Sequence, residues 1–146
     1  MKRILLLLLL SSVGYCAAAG NPLVNDLSLK SFNALFKNAH NVVWSAGKDF
    51  SDVSFQEDNI LMRARFDNGG NLVQTIRYYK EQNLPVFIMQ QIKKEYKGCE
   101  IYGVTELSRK DAFIYTFSLR DKKHLFVVLT DINGVVLSSK QYNCGM

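Results

Sequence analysis

The sequence predicts an α+β fold: a tandem repeat of a helix plus an antiparallel strand meander, with one sheet packed on one face by two helices. Three observations carry this. In two separate segments apolar residues recur at spacings of three and four, then switch to alternation, the periods of helix and strand. The alternating runs follow one another across turn signals rather than across helices, so the strands pair by hairpins and the class is not α/β. Asp131, Gly134 and Tyr142 stand at one constant offset from Asp67, Gly70 and Tyr78, which divides the chain into units of about 28–80 and 84–143.

Each element has a local reason. Ser28 is the expected cap of a first helix whose stripe is Leu29, Phe32, Leu35, Phe36 and Ala39. After His40-Asn41 the period becomes two: Val42, Trp44 and Ala46 alternate, and Asp52 to Gln56 form a short second strand. In the third strand, from Asn59 to Phe66, Ile60, Met62, Ala64 and Phe66 oppose Leu61, Arg63 and Arg65. Asp67-Asn68-Gly69-Gly70 is a hairpin turn, since Asn and Gly tolerate positive φ, and Asn71 to Lys80 return from it. Pro85 suits the first turn of a second helix, with Ile88, Met89, Ile92 and Tyr96 as its stripe and Gly98 just past its end. Strands are then expected at Cys99–Ser108, Ala112–Leu119, His124–Thr130 and Val135–Tyr142, with turns at Asp121-Lys122-Lys123 and Asn133-Gly134. Trp44, Phe32, Phe36, Phe66 and Phe117 read as core.

The chain has 146 residues, 48% of them hydrophobic and 12% aromatic, which fits one domain and excludes a disordered chain. It opens Met1-Lys2-Arg3, then Ile4 to Leu10, then the small residues from Cys16 to Gly20. This is a secretory signal peptide over 1–19, cut after Ala19, followed by a loose segment 20–27 and a single domain 28–146. The apolar run is far short of the roughly 20 residues of a membrane span. The expected location is periplasmic or secreted. Lipidation at Cys16 is the alternative, with Tyr15 against it. Of 18 basic residues Lys2 and Arg3 leave with the leader, so 16 face 13 acidic ones, a net of +3 that does not suit nucleic acid.

Cleavage leaves Cys99 and Cys144, an even pair that in an oxidising compartment suggests a disulfide. Its loop of roughly 45 residues would contribute about 4 kcal/mol through chain entropy. Two free thiols are the alternative. Neither cysteine has the neighbours of a redox or metal site. His40 and His124 lack an acidic neighbour at helix or strand spacing, and no phosphate-cradling loop occurs. Asp67 and Asp131 could ligate Ca²⁺, but turn chemistry explains them more simply. No catalytic residue, metal or cofactor is expected.

Arg63 and Arg65 point away from the core-facing residues of their strand. Across the turn, Val73, Thr75, Arg77 and Tyr79 are expected on the same outward face, continued by Tyr102, Val104 and Glu106. Glu106 would there neutralise one arginine. Arg63, Arg65, Arg77, Tyr79, Tyr102 and Glu106 form the candidate binding set, because Arg and Tyr are the residues enriched at interface hot spots. The competing reading is a solvated face with Arg stems over Tyr rings.

An ordered series of motifs spans nearly the whole mature chain: Val42-Val43-Trp44, Arg63-Ala64-Arg65-Phe66-Asp67, Gly70-Asn71-Leu72, Tyr78-Tyr79, Leu84-Pro85 and Tyr96-Lys97-Gly98. It continues through Val104-Thr105-Glu106-Leu107 to Asp131-Ile132-Asn133-Gly134. In this series the chain resembles the PepSY-like family of secreted bacterial proteins, also described as β-lactamase-inhibitor-like. The resemblance implies a helix-plus-strands unit in tandem, no catalytic residues, no cofactor, and a hydrolase, peptidase or other envelope protein as partner. The expected function is a non-catalytic binding module of the periplasm or exterior that holds a protein or peptide on its exposed sheet face. A small-molecule carrier or enzyme with a pocket between helices and sheet is the alternative, and it requires a polar group inside the core. A third reading makes the open face a self-association surface.

Overall fold

The structure, a computed structural model, describes Leu23–Cys144. The expected signal peptide, its expected cut site and Cys16 lie outside the described residues. Helix α1 (Asp26–Leu35) leads into strands β1 (His40–Ala46), β2 (Phe50–Glu57), β3 (Ile60–Asp67) and β4 (Leu72–Tyr79). A 3₁₀ turn (Glu81–Asn83) and helix α2 (Val86–Glu95) precede β5 (Glu100–Arg109), β6 (Ala112–Arg120), β7 (His124–Asp131) and β8 (Val136–Asn143). The eight strands form one antiparallel sheet in sequence order.

This corrects the expected architecture. The fold is one continuous sheet, with 54% of the described residues in strands against 19% in helices, and not a tandem of helix-plus-strand units. Strands β4 and β5 pair without irregularity from Gln74↔Arg109 to Tyr79↔Val104, across the boundary where two units were expected. The reason is backbone satisfaction. Two separate meanders would each leave a row of N–H and C=O groups unpaired at that edge, and joining the edges removes both rows.

Both helices pack on the same side of the sheet. Phe32 of α1 sits edge-on to Trp44 and Phe55, with ring centroids 5.3 and 5.0 Å away, and Phe36 adds to the cluster. Phe66 lies beneath them, fully buried. In α2, Ile88 and Ile92 share the same core with Phe117, Leu119 and Val128. Trp44 is thus the anchor between helix and sheet that its place after α1 suggests.

The cap of α1 is Asn25, not Ser28: its side chain accepts from the Leu27 amide at 2.8 Å. Ser28 is buried in the first turn and donates to the Asp67 carbonyl. That contact belongs to the seat of the helix on the β3–β4 turn. Asp67 Oδ1 gathers the amides of Gly69 and Asn71 at 2.8 and 2.9 Å, and Asn25 Nδ2 donates to the Asn68 carbonyl at 2.6 Å. Gly70, at φ +76°, lies directly under Leu27, where a Cβ would meet the helix backbone at 2.8 Å. The β7–β8 turn uses the same device below α2: Asp131 Oδ1 takes the amides of Asn133 and Val135, and Gly134 sits at φ +81°. There a Cβ would meet the flexible end of Gln91. Asp67 and Asp131 are therefore turn residues.

The expected disulfide is also corrected: Cys99 and Cys144 are free thiols. Cys99 precedes β5 and Cys144 follows β8, so two strands intervene. Three interstrand spacings of about 4.8 Å exceed the Cα separation of roughly 4–7 Å that a disulfide bridges.

The two glycine seats make a graded prediction. Gly70→Ala combines positive φ with a backbone collision and should lower stability by about 2–4 kcal/mol, whereas Gly134→Ala should cost about 1–2 kcal/mol because Gln91 can move. Urea denaturation of both variants checks this. Equal losses would show that the helix seats do not set the cost.

Candidate functional site

Strand side chains alternate, so the register decides which residues face the helices and which face away. On β3 the reading holds: Met62, Ala64 and Phe66 are buried, and Arg63 and Arg65 are exposed on the open side. On β4 it does not. Arg65 pairs with Gln74 but Phe66 pairs with Leu72, so Val73 is an extra residue in the strand. This β-bulge shifts the parity of the rest of β4 by one position. Arg77 and Tyr79 therefore lie on the helix side, in line with Met62, and Ile76 and Tyr78 take the open side.

Three of the six expected site residues are thus brought together in the core-facing layer. Arg77 is the register partner of Glu106, and its Nη1 lies 3.1 and 3.3 Å from the two carboxylate oxygens. The Tyr79 hydroxyl donates to Glu106 Oε2 at 2.6 Å, and the Arg77 guanidinium stands 5.3 Å from the Tyr79 ring centroid. Glu106, at 8% exposure, is a carboxylate held inside the fold by two donors. Glu106 does neutralise an arginine, but on the side opposite to the one expected. The core also holds the polar group that a pocket reading calls for, here occupied with its own neighbours.

Burial pushes the Tyr79 hydroxyl far above its ordinary pKa, and the hydrogen bond to Glu106 adds to it. Burial also raises Tyr115, with the Glu106 charge as the second cause. A phenol whose folded pKa is raised keeps its proton while the unfolded chain begins to lose one near pH 10. Stability falls as pH rises beyond that point.

The open face holds the other three. Arg65 makes a two-pronged pair with Asp52 (Nε–Oδ1 2.7 Å, Nη2–Oδ2 2.9 Å) and covers the Phe50 ring at 5.3 Å. The Asp52 hydrogen bond and charge raise the Arg65 pKa. Arg63 is exposed between its register partners Ser54 and Ile76. Tyr102 is the extra residue of a bulge between Ile101 and Gly103 and is 60% exposed. The middle of this face is aliphatic: Ile76, Leu107 and Ile114 form one cross-strand row, half-buried against one another with no helix above them.

Ile76 and Tyr78 were missed because plain alternation was carried through the turn. The signal was present: apolar Leu72-Val73, and likewise Val135-Val136-Leu137, interrupt alternation where β4 and β8 each carry their extra residue. A histidine–carboxylate pair was missed as well. His124 Nδ1 lies 3.0 Å from Asp121 Oδ2 within the β6–β7 turn. This bond is the largest cause holding the Asp121 carboxyl down to about 2, with the amides of Lys123 and His124 assisting. Among the described residues no hydroxyl or thiol hydrogen-bonds the His124 ring.

Glu106→Ala should lower stability by about 2–3 kcal/mol, because it strands the Tyr79 hydroxyl and the Arg77 guanidinium together. In a spectrophotometric titration of the native protein, at least one tyrosine should stay protonated above pH 11, and in Glu106→Ala it should ionise at a lower pH, though still above the ordinary value because burial remains. A native protein in which every tyrosine ionises near pH 10 would contradict this account.

No protein-family profile matches the chain, and no curated relative matches it. Solved structures do share its fold. A BLIP-like protein from Bacteroides fragilis superposes with a TM-score of 0.68 at 16% identity, over 87% of this chain and 92% of that one. A DUF2874 family protein from Bacteroides uniformis gives 0.65 at 14% identity, over 82% and 90%. A proposed periplasmic protein of Bacteroides eggerthii gives 0.63 at 13% identity, also over 82% and 90%. Among the described residues no helix is long and apolar enough to cross a membrane. The likeness is one of fold: the chain has the BLIP-like architecture, and nothing in it singles out the PepSY-like family.

Proposed function

We propose that this protein is a non-catalytic module of the cell envelope that holds a protein or peptide partner on the open face of its sheet. The observation that carries the reading is that the helices cover one face only. The other face presents half-buried aliphatic residues rimmed by Arg63, Arg65, Tyr78 and Tyr102. An apolar centre with an Arg and Tyr rim is the composition of protein interfaces. A rigid platform is a further requirement, because ordering a loose surface on binding subtracts from affinity. The Arg77–Glu106–Tyr79 cluster and the two seated helices supply that rigidity from behind. The leader-like start of the sequence and the BLIP-like and periplasmic fold neighbours support an envelope setting and an inhibitor- or regulator-like role toward a hydrolase or peptidase.

Capture from envelope extract followed by face variants tests the reading. Arg65→Ala and Tyr102→Ala should change stability by less than about 1 kcal/mol, since both side chains are exposed. Each should weaken partner binding by about 2 kcal/mol or more. Trp44→Ala, a control in the core, should instead destabilise the fold by roughly 3 kcal/mol. Partner binding that survives both face substitutions would remove the open face from consideration.

A further inference from the structure

Resting on the reading of the open face as a binding surface, we infer that the trough around Arg63 is a receptor for a single acidic side chain of the partner, flanked there by an aliphatic one. The trough holds about 120 Å³ and is lined by Asp52, Arg63, Arg65, Gln74 and Ile76, with the Ala64 backbone as its floor. That volume is of the size of one carboxylate-bearing side chain and well below that of an ordinary small-molecule pocket.

The charges in and around it do not cancel. Arg65 is neutralised by Asp52 in a two-pronged pair. Arg109, the register partner of Gln74, is neutralised by Asp111 at 3.3 Å. Arg63 makes no ion pair among the described residues. The surplus is one guanidinium, held between Ser54 and Ile76 on the middle strand of the trough. A guanidinium offers a planar fork of donors and no acceptor, so its complement is a carboxylate. The neighbouring pair already made shows this geometry, with Asp52 meeting Arg65 through two nearly parallel hydrogen bonds. Gln74 adds an amide donor across the trough from Arg63.

The aliphatic requirement comes from the register. Arg63, Ile76, Leu107 and Ile114 form one continuous cross-strand row. A partner segment that places its carboxylate on Arg63 lays its next side chain over Ile76 and Leu107. A Lys or Arg in that position of the partner would be repelled, so the trough also rejects basic segments.

The test uses the mature protein, isotope-labelled, with two probes: the capped tripeptides acetyl-Leu-Glu-Leu-amide and acetyl-Leu-Gln-Leu-amide. At millimolar peptide the Glu probe should shift the Arg63 Nε–H and Gln74 side-chain amide resonances. The Gln probe should bind about tenfold more weakly or worse, because the charge-assisted pair is lost. Arg63→Gln should abolish the difference between the probes, and Arg120→Gln, on the same sheet but away from the trough, should leave it intact. Equal shifts from both probes on the open face would overturn the acid receptor while leaving the face as a binding surface. Shifts confined to other parts of the molecule, or none at Arg63, would overturn the receptor outright. The wider reading would then stand or fall on the partner-capture variants alone.

Discussion

Val73 is the residue on which the two faces of the sheet turn. Side chains along a regular strand alternate, so one residue inserted opposite Phe66 exchanges the faces of everything after it in β4. Because of it Arg77 and Tyr79 meet Glu106 under the helices, and Ile76 and Tyr78 join Arg63 and Arg65 in the open. Leu137 does the same in β8, opposite Leu129 and Thr130. Both insertions come just after the turns that carry the helices, so bulge, turn and helix seat act together.

The covered side shows how a small core tolerates a carboxylate. Glu106 is a buried acid, and a buried acid without partners would cost several kcal/mol in desolvation. Arg77 and the Tyr79 hydroxyl occupy its oxygens, and among the described residues no buried polar side-chain atom lacks a partner. The cluster lies at the middle of the sheet, where β4 and β5 pair, the junction that makes eight strands one surface. Its partners come from both strands, so it locks the register there.

The open side has the opposite character. Among the described residues no helix packs on it, its aliphatic row is only half-buried, and its ion pairs are exposed ones worth little for stability. A face that contributes so little to holding the fold together is free to be shaped by binding. Among the described residues Arg63 has no ion-pair partner there, and the proposed recognition of another macromolecule rests on this uncovered surface.

Much of the secondary structure was legible in the amino-acid sequence, because the periods of helix and strand are written in local apolar spacing. The helix over Phe32, the alternation from Ile60 to Phe66 and the Asp67–Gly70 turn depend on neighbours a few residues away. The faces of β3 followed for the same reason. The faces of β4 did not, because a bulge is a relation between two strands and is fixed only when both are paired. The cap at Asn25, the free cysteines and the unbroken pairing of β4 with β5, which replaces the expected helix-plus-strand repeat, belong to that second class. Each depends on groups far apart in the chain: Asn25 on the β3–β4 turn, Cys99 on the strands separating it from Cys144, and β4 on β5. Local periodicity determined which segments would be helix or strand. Only the tertiary pairing decided which side chains share a face, since it is there that one extra residue reverses the parity.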